Sequence, residues 1–369
     1  MSDTWAVIAG GGTAGHVVPG LAVAHALVAR GHAAETIHWV GGRRWIEGDV
    51  VGAAGFEATL LPGRGIQRRL TADNLGAVWG LTQAGAQALS LVRARRPAVV
   101  LAMGGYASVT CATAAAALRV PLVVAEQNAV PGASNRLVGR FAKACAVPFP
   151  GTPLPRAVVT GNPVRSEILA VDRSPAGRAA ARAALGLPEG RTVVAVFGGS
   201  LGALRLNNAV VGAFETWGGR SDLAVRHVVG ERDWSLVAGQ SRDVGGLFWQ
   251  PVRYDDQREL SLAAADLAVS RAGGNTVAEL AAVGVPSILV PLPGAPGDHQ
   301  TANARHLADA GAAVLVPDGE MSADRLVREV EGLLGDPGRL AAMGEAAARA
   351  GRRDAADAVA ELVERCASG

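Results

Sequence analysis

The chain has 369 residues and a formal net charge of +2, with 49% hydrophobic and 18% charged residues. Its length exceeds what one hydrophobic core usually supports, so we expect two domains, and its composition excludes a disordered chain. The small net charge excludes a chain-wide basic surface, so we expect no nucleic-acid partner.

The cysteines and the hydropathy indicate a protein on the cytosolic side. Cys111, Cys145 and Cys366 lie far apart without metal-ligand spacing, which is typical of reduced thiols. No apolar run approaches the length of a membrane span. We therefore expect a cytoplasmic location that still allows contact with a membrane surface.

Strand and helix patterns alternate along the chain, which predicts doubly wound α/β domains with parallel sheets. The strands are expected near Trp5–Ala9, Thr36–Val40, Ala98–Ala102, Leu122–Ala125, Ala157–Thr160, Val193–Phe197, Ala224–Val229, Leu267–Ser270, Ser287–Pro291 and Ala313–Val316. A helix is expected over Pro19–Arg30, with proline in its first turn. Residues 148–155 are rich in proline, and Gly161-Asn-Pro163 follows, so we place the domain boundary near residues 161–165.

Two glycine-rich loops follow short apolar strands almost half a chain apart. The first, Gly10–Gly15, satisfies the G-x-G-x-x-G pattern, and the second is Gly198-Gly-Ser200. Glycine allows close backbone approach to a ligand, and the following helix N-terminus offers free N–H groups. The duplication predicts two nucleotide-type folds that face one another across a cleft, each binding one substrate.

The first loop leaves a redox alternative open. A dinucleotide site needs an acidic residue after the second strand to hold the ribose hydroxyls, and Gly41-Gly-Arg-Arg44 stands there instead. Arg43 or Arg44 could hold the 2′-phosphate of NADP. An NADP-dependent oxidoreductase is therefore the alternative from a different enzyme class.

His16 directly follows the first loop and precedes a helix. In that place it could act as a general base that takes a proton from an attacking hydroxyl. A histidine hydrogen-bonded to backbone at a helix start explains the same position. The local sequence leaves both interpretations open.

Further polar segments follow strands of the first half. Glu126-Gln-Asn128 comes after an apolar strand, where parallel sheets present their ligand-facing ends. Gly104-Gly-Tyr106 is a loop that could approach a phosphate. Arg165 is a candidate partner for an anion, and a solvated arginine at a helix start is its alternative.

In the second half, Ser270–Glu279 is another strand–loop–helix junction. Gly273 and Gly274 allow backbone approach to a phosphate, and Glu279 could accept both hydroxyls of a ribose. A capping box between Thr276 and Glu279 is the alternative.

Residues 291–303 form a loop rich in proline and glycine that ends in polar side chains. Those that could hydrogen-bond a sugar are Asp298, His299, Gln300 and Asn303. Asp298 also suits an ordinary helix N-cap. No Asp-x-Asp motif occurs, so the usual carboxylate pair for a catalytic metal is missing, and a leaving diphosphate would depend on helix N-termini and loop donors.

Residues 64–96 combine basic residues with an amphipathic helical pattern. The basic residues include Arg68 and Arg69. The apolar stripe includes Leu75 and Trp79, and the combination suits an anionic membrane surface. An ordinary amphipathic helix packed on its own sheet is the alternative.

The order and spacing of these motifs closely resemble the MurG family over nearly the whole chain. The motifs that carry the resemblance are Gly11-Gly-Thr-Ala-Gly-His16 with Pro19-Gly-Leu-Ala-Val23, Gly104-Gly-Tyr106, Glu126-Gln-Asn128, Gly161-Asn-Pro-Val-Arg165, Gly198-Gly-Ser200, Ser270-Arg-Ala-Gly273 and Asp298-His-Gln-Thr-Ala-Asn303. The family implies the GT-B fold, in which two doubly wound Rossmann-like domains face a central cleft. It implies inverting, metal-independent transfer of N-acetylglucosamine (GlcNAc) from UDP-GlcNAc to the MurNAc hydroxyl of lipid I, forming lipid II for peptidoglycan.

The resemblance also implies a peripheral protein at the cytoplasmic face of the plasma membrane, without a cofactor. Its partners would be UDP-GlcNAc, lipid I and an anionic membrane surface. A related GT-B transferase acting on another lipid or an antibiotic precursor stays open as the nearest alternative. A noncatalytic nucleotide-sugar sensor is a more distant one.

By the same resemblance, residues 1–163 and a C-terminal helix at about 345–369 form the acceptor and membrane-associating domain, and residues 164–344 form the donor domain. His16 is the expected catalytic base, with Glu126 as the alternative. The expected acceptor contacts are Gly12, Gly104, Gly105 and Tyr106. The expected donor contacts are Thr13, Ala14, Gly15, Asn128, Arg165, Ser200, Tyr254 near uracil, Gly274, Asn275, Thr276, Val277, Ala278, Glu279 on the ribose and Gln300 on GlcNAc.

The chain departs from the family pattern in its loops. Ala14 stands where the first loop usually has glycine, and Leu201 replaces a usual glutamine in the second. Residues 107–110 read Ala-Ser-Val-Thr in place of Val-Ser-Gly-Pro, which weakens the inference for the acceptor loop. None of these changes removes His16 or Glu279.

Overall fold

The computed structural model of the chain describes residues 4–43, 47–62, 73–199, 202–237 and 243–368. The chain divides into two compact units. Unit 1 comprises Met1–Arg165 with Arg352–Gly369, and unit 2 comprises Ser166–Gly351. The predicted division placed residues 1–163 with a C-terminal helix in one domain and residues 164–344 in the other.

Unit 1 contains a seven-stranded parallel sheet in the order β3-β2-β1-β4-β5-β6-β7 within its described residues. Its strands are β1 (Ala6–Gly10), β2 (Ile37–Gly42), β3 (Glu57–Leu61), β4 (Val99–Gly104), β5 (Leu122–Ala125), β6 (Ala144–Val147) and β7 (Ala157–Val159). Its helices are α1 (Ala14–Ala29), α2 (Glu47–Ala53), α3 (Asp73–Arg95), α4 (Gly105–Leu118), α5 (Ala133–Gly139) and, from the end of the chain, α15 (Ala355–Ser368).

Helices cover both faces of this sheet, so its central strands are buried along their length. Ile8 and Leu101 point into the core shared with α1 and α15. Val7 and Val100, their neighbours in sequence, point into the core shared with α3 and α4. The strand period of two thus distributes one apolar run over two cores.

The C-terminal helix α15 packs within unit 1. Its residues Val359, Leu362 and Val363 are buried in the core with α1, as their helical spacing predicts. Glu364 of α15 accepts a hydrogen bond at 2.7 Å from Nη2 of Arg30, the residue that follows α1. The expectation of one helix at about 345–369 is wrong, because residues 345–350 belong to a helix of unit 2 that ends before Gly351.

Unit 2 contains a second seven-stranded sheet, in the order β10-β11-β9-β8-β12-β13-β14, in the part of the chain that the structure describes. Its strands are β8 (Thr192–Phe197), β9 (Leu223–Val228), β10 (Asp243–Val244), β11 (Leu247–Val252), β12 (Leu267–Ser270), β13 (Ser287–Leu289) and β14 (Ala313–Leu315). Its helices are α6 (Ser166–Leu169), α7 (Pro175–Ala184), α8 (Leu204–Gly212), α9 (Phe214–Trp217), α10 (Arg258–Ala264), α11 (Gly274–Val283), α12 (His299–Asp309), α13 (Ala323–Leu334) and α14 (Pro337–Ala350). All pairs are parallel except β10 with β11.

Four strands were not predicted, namely β3, β6, β10 and β11. Strand β6 consists of Ala144, Cys145, Ala146 and Val147, which have too little β-branched or aromatic character to signal a strand. Strand β11 contains Pro251, which argues against a central strand. Among the described residues, β10 pairs with β11 only at Leu247 and Phe248, and Pro251 lies opposite His227 of β9.

Helix α1 begins five residues earlier than predicted. Pro19 lies inside it, not in its first turn, so Gly15 loses the N–H group that would bond its carbonyl. The consequence is that His16 is a residue of the helix's first turn, directly above the glycine-rich loop.

Candidate active site

The strand order of each sheet reverses direction at one point, where open parallel sheets form a ligand crevice. In unit 1 the reversal lies between β1 and β4, and in unit 2 between β8 and β12. The segments that leave these strands at their carboxyl ends are the glycine-rich segments singled out in the sequence. Each unit therefore presents one candidate half-site.

The N-terminus of α1 is an exposed backbone donor site in unit 1. Thr13 is the N-cap with extended dihedral angles (φ −156°, ψ 153°), and its side chain makes no capping hydrogen bond. Gly12, Thr13 and Ala14 are all exposed. The first N–H groups of a helix have no partner within it, so this turn can bind an anion.

His16 is half-buried, and backbone fixes its tautomer. Its Nδ1 lies 3.0 Å from the carbonyl oxygen of Gly11 and 3.4 Å from Thr13 Oγ1. A carbonyl only accepts hydrogen bonds, so Nδ1 carries the proton and Nε2 keeps the lone pair of the neutral ring. The interpretation of His16 as a histidine hydrogen-bonded to backbone at a helix start is therefore confirmed, and this hydrogen bond does not involve Nε2.

The glycines at the end of β4 and the start of α4 permit close packing against the first loop. A Cβ atom on Gly104 would lie 2.7 Å from His16 Nε2, and Gly104 has a φ of +118° that side chains rarely adopt. The hydroxyl of Tyr106 donates to the carbonyl of Leu61 at 2.9 Å, which ties this segment to the end of β3. Tyr106 thus braces the half-site besides being a predicted acceptor contact.

Glu126 is 3% exposed and both of its carboxylate oxygens are engaged. The hydrogen bonds that it accepts are from Gln127 N, Asn128 N and Asn128 Nδ2 to Oε1, and from Gly132 N and Asn135 Nδ2 to Oε2, at 2.9–3.1 Å. Five hydrogen bonds thus occupy the carboxylate oxygens of Glu126. Glu126 therefore organises the loop that carries Asn128.

Asn135 was not recognised from the sequence. It is buried on α5, and its Nδ2 donates both to Glu126 Oε2 and to the carbonyl of Ala125. The available signal in the sequence was an amide residue a few positions after the polar Glu126–Asn128 segment.

The N-terminus of α11 supplies the corresponding backbone donors in unit 2. Gly273 is the N-cap (φ −63°, ψ 148°), and Gly274, Asn275 and Thr276 form the first turn. Thr276 therefore lies within the helix, so the alternative of a capping box starting at Thr276 is wrong. Val277 and Ala278 continue the same helix.

Glu279 is buried one turn into α11, where an arginine from another helix holds it. Arg258 Nε donates to Glu279 Oε2 at 3.1 Å. The same guanidinium lies 3.7 Å from the ring centroid of Phe197, at the end of β8. Arg258 was not predicted, because it precedes Glu279 by a strand and a loop and carries no local motif.

Gln300 joins the loops that follow β12 and β13. Its Oε1 accepts from Ala272 N at 3.1 Å and from Leu292 N at 2.9 Å. These contacts orient the amide, and its Nε2 has no hydrogen-bond partner among the described residues, so it can donate to a ligand. Asn303 is fully buried and donates to the Ala272 carbonyl, so its expected contact with a sugar is wrong.

Asp298 precedes α12 in a left-handed conformation (φ 54°) and makes no side-chain capping bond. Its carboxylate instead accepts a hydrogen bond from Thr301 Oγ1 at 2.7 Å. Asp298 therefore occupies the N-cap position of α12, as predicted, but its side chain does not cap the helix.

Tyr254 is 58% exposed and lines a cavity of about 630 Å³ in unit 2, together with Arg226 and Gln250. Arg226 is buried there and donates to Gln250 Oε1 at 2.6 Å and to Asp255 Oδ1 at 3.1 Å. Arg165 is half-buried just before the division between the units.

The structure describes some residues named in the sequence analysis only in part or not at all. Ser200, Leu201, Arg68 and Arg69 are outside the described residues. Leu75 and Trp79 fall within α3, of which only the backbone is described at these positions. Within the described ranges, no group of three or more His, Cys, Asp or Glu residues is arranged to hold a metal ion.

Two family models match the chain in the order of its units. The Glycosyltransferase family 28 N-terminal domain matches residues 6–147, and the Glycosyltransferase family 28 C-terminal domain matches residues 193–359. Each match begins at or near the first strand of a sheet.

Full-length relatives carry one enzyme name, UDP-N-acetylglucosamine--N-acetylmuramyl-(pentapeptide) pyrophosphoryl-undecaprenol N-acetylglucosamine transferase. The relative from Alkalilimnicola ehrlichii is 44% identical over 96% of this chain and 97% of its own length. The relative from Halorhodospira halophila is 43% identical over the whole of both chains, 100% of each. The crystal structure of Acinetobacter baumannii MurG superposes with a TM-score of 0.74 at 27% identity, over 98% of this chain and 99% of that one.

The two doubly wound units, their glycine-rich half-sites and these full-length matches lead to one assignment. The chain is a hexosyltransferase with the GT-B fold, and it belongs to the MurG family.

Proposed function

We propose that the chain transfers GlcNAc from UDP-GlcNAc to the MurNAc hydroxyl of lipid I, forming lipid II and UDP. The names of its full-length relatives support this reaction. The observation that carries the chemistry is the hydrogen bond from His16 Nδ1 to the Gly11 carbonyl, because it leaves Nε2 as a proton acceptor beside an anion-binding helix end.

In the proposed step, His16 Nε2 takes the proton of the acceptor hydroxyl. The acceptor oxygen forms a bond to C1 of GlcNAc on the face opposite UDP, and the bond between C1 and the diphosphate oxygen breaks. The electron pair leaves with UDP, and the configuration at C1 inverts. The acceptor diphosphate would bind at the first turn of α1, with Gly12, Gly104 and Gly105 allowing its approach.

In unit 2, the N–H groups at the start of α11 would meet the charge of the departing diphosphate without a metal ion. Ser200 and Arg165 are the further proposed phosphate contacts. Glu279, held in place by Arg258, would accept the ribose hydroxyls. Gln300 would donate its amide N–H to the sugar, because its Oε1 already accepts hydrogen bonds from two backbone N–H groups.

We further propose that unit 1 binds an anionic membrane surface at the cytoplasmic face. Besides the predicted residues Arg68, Arg69, Leu75 and Trp79, the surface around α5 supports this. Leu137 and Phe141 are 45% and 53% exposed, and the Arg140 guanidinium lies 5.4 Å from the Phe141 ring centroid. Exposed Arg136 and Lys143 add positive charge beside these apolar side chains, a combination that suits anionic lipid headgroups. No helix in the described part of the chain is both long enough and apolar enough to cross a bilayer.

A coupled assay of UDP release tests the proposed reaction. The enzyme is incubated with UDP-GlcNAc, a lipid I analogue and EDTA, and both UDP and the glycosylated lipid are quantified. We expect equal amounts of the two products and full activity in EDTA. Binding of UDP-GlcNAc without UDP release would indicate a sensor, activity only with other acceptors would indicate a related transferase, and NADPH binding without UDP binding would indicate an oxidoreductase.

A further inference from the structure

Unit 2 has a second cavity near the amino-terminal ends of its strands, whereas the proposed donor loops follow the carboxyl ends. It has a volume of about 720 Å³, and its wall is formed by α7 and the segment before β8. The charged residues in the wall are Arg173, Arg178, Arg182 and Glu189. The amino-terminal end of the six-residue strand β8 is about 20 Å from its carboxyl end, so the cavity is well separated from the donor loops.

Positive charge exceeds negative charge in this cavity. Arg178 and Arg182 both pair with one carboxylate, that of Asp266, which also accepts from Val193 N at 2.7 Å. Among the described residues, Arg173 donates only to neutral groups, the carbonyls of Leu262 and Ala265, at 2.7 and 2.9 Å. Glu189 is exposed at the rim.

Both burial and the neighbouring positive charges act on the Arg173 guanidinium. Burial, together with the positive charges of Arg178 and Arg182, lowers the pKa of its guanidinium to about 10. Burial likewise lowers the pKa values of Arg178 and Arg182. An anion in the cavity would offset the mutual repulsion of the three side chains.

Several guanidinium donors remain unused. Among the described residues, Nε and Nη2 of Arg173 and the Nη1 atoms of Arg178 and Arg182 have no hydrogen-bond partner. Planar guanidinium forks match the oxygen geometry of phosphate groups. The remaining wall is apolar, with Pro175 and Leu187 among its residues, and the volume is that of a small-molecule site.

We propose that this arginine cavity binds a small molecule carrying phosphoryl groups, at a site separate from the one proposed for the nucleotide sugar. The phosphoryl oxygens would contact the unused donors of Arg173, Arg178 and Arg182. The organic part would lie against Pro175, Leu187 and the alanines of α7. The inference does not depend on the proposed transfer reaction.

Isothermal titration with inorganic pyrophosphate tests this site. The full chain is titrated in EDTA, with saturating UDP in cell and syringe so that a nucleotide site cannot take up the probe. The matched variants are Ala179→Glu and Ala179→Gln, at an exposed alanine of the cavity wall that makes none of the arginine contacts. Glutamate adds a negative charge one helical turn from Arg182, and glutamine adds the same bulk without charge.

We expect one-to-one binding to the unchanged chain, binding within twofold for Ala179→Gln, and at least tenfold weaker binding for Ala179→Glu. Equal binding by the two variants, or no binding by the unchanged chain, would overturn the proposal. Succinate serves as a dianion without phosphorus. Tighter binding of succinate than of pyrophosphate would show that the assignment to phosphoryl groups is wrong.

Discussion

The two half-sites occupy equivalent places in two similar sheets and differ in what they offer. In unit 1, a backbone carbonyl fixes His16, and loop N–H groups together with the amide side chains of Asn128 and Asn135 surround Glu126. In unit 2, Glu279 is held by a side chain from another helix, Arg258. We propose that His16 of unit 1 acts on the acceptor hydroxyl, whereas the start of α11 and Glu279 in unit 2 bind phosphates and ribose hydroxyls. On this proposal, the same topological position serves the chemistry in one unit and binding in the other.

Loss of the base should have the largest effect. We expect His16→Ala to lower kcat by about 10²- to 10⁴-fold, the usual contribution of a general base, while KM for UDP-GlcNAc stays within twofold. Steady-state UDP release with a lipid I analogue measures both values. His25→Ala is the matched control, an exposed histidine on the same helix, and should leave turnover unchanged. Unchanged turnover in His16→Ala would remove His16 from the mechanism.

The ribose contact comes next in size. Because hydrogen bonds to charged groups contribute about 1.5–3 kcal/mol, Glu279→Gln should weaken UDP binding by about tenfold or more. Arg258→Gln should weaken UDP binding less, because the Glu279 carboxylate remains and loses only the hydrogen bond that orients it. Titration calorimetry with UDP gives both dissociation constants. If Arg258→Gln were the more damaging change, Arg258 itself would be the contact with the ligand.

A variant at Glu126 distinguishes a catalytic base from a carboxylate that organises the loop. Glu126→Gln replaces one acceptor oxygen with an N–H₂ group among five donors, so we expect a loss of about 1–3 kcal/mol in the free energy of unfolding. The remaining turnover should keep the pH dependence of the unchanged enzyme. A fall in kcat as large as that of His16→Ala, with no loss of stability, would make Glu126 the base instead.

A buried histidine of unit 2 provides the contrast to His16. Burial lowers the pKa of His227 to about 3, and its Nδ1 has no hydrogen-bond partner among the described residues. The folded state therefore resists protonation, and stability is lost as the pH falls below the unfolded pKa of about 6.5. Between pH 7 and pH 5 this group should cost about 2 kcal/mol of the free energy of unfolding.

Urea unfolding at the two pH values, with His227→Gln as the comparison, measures this contribution. Glutamine keeps a donor for Asn207 Oδ1, which His227 Nε2 contacts at 2.9 Å, and does not titrate. The variant should therefore lose about 2 kcal/mol of pH dependence. The same pH dependence in both proteins would show that His227 is protonated in the folded state without cost.

Sequence patterns predicted the parts of the site that are local. The glycine-rich loop after β1, the strand–loop–helix junction at Gly273 and the apolar face of α15 each lie within a few consecutive residues, whereas the start of α1 was predicted five residues too late. The contacts that fix side chains are not local: Glu126 depends on Asn135, and Glu279 depends on Arg258. Alanine-rich β6 and proline-containing β11 form strands because neighbouring strands pair with them, and this pairing is not visible in their own residues.

A crystal structure of the chain soaked with UDP-GlcNAc tests the central claim most directly. The account predicts the ribose at Glu279, the diphosphate at the N-terminus of α11 without a bridging cation, and the sugar within hydrogen-bond distance of Gln300. A nucleotide bound away from Glu279 and Gly274, or phosphates bridged by a metal ion, would contradict it.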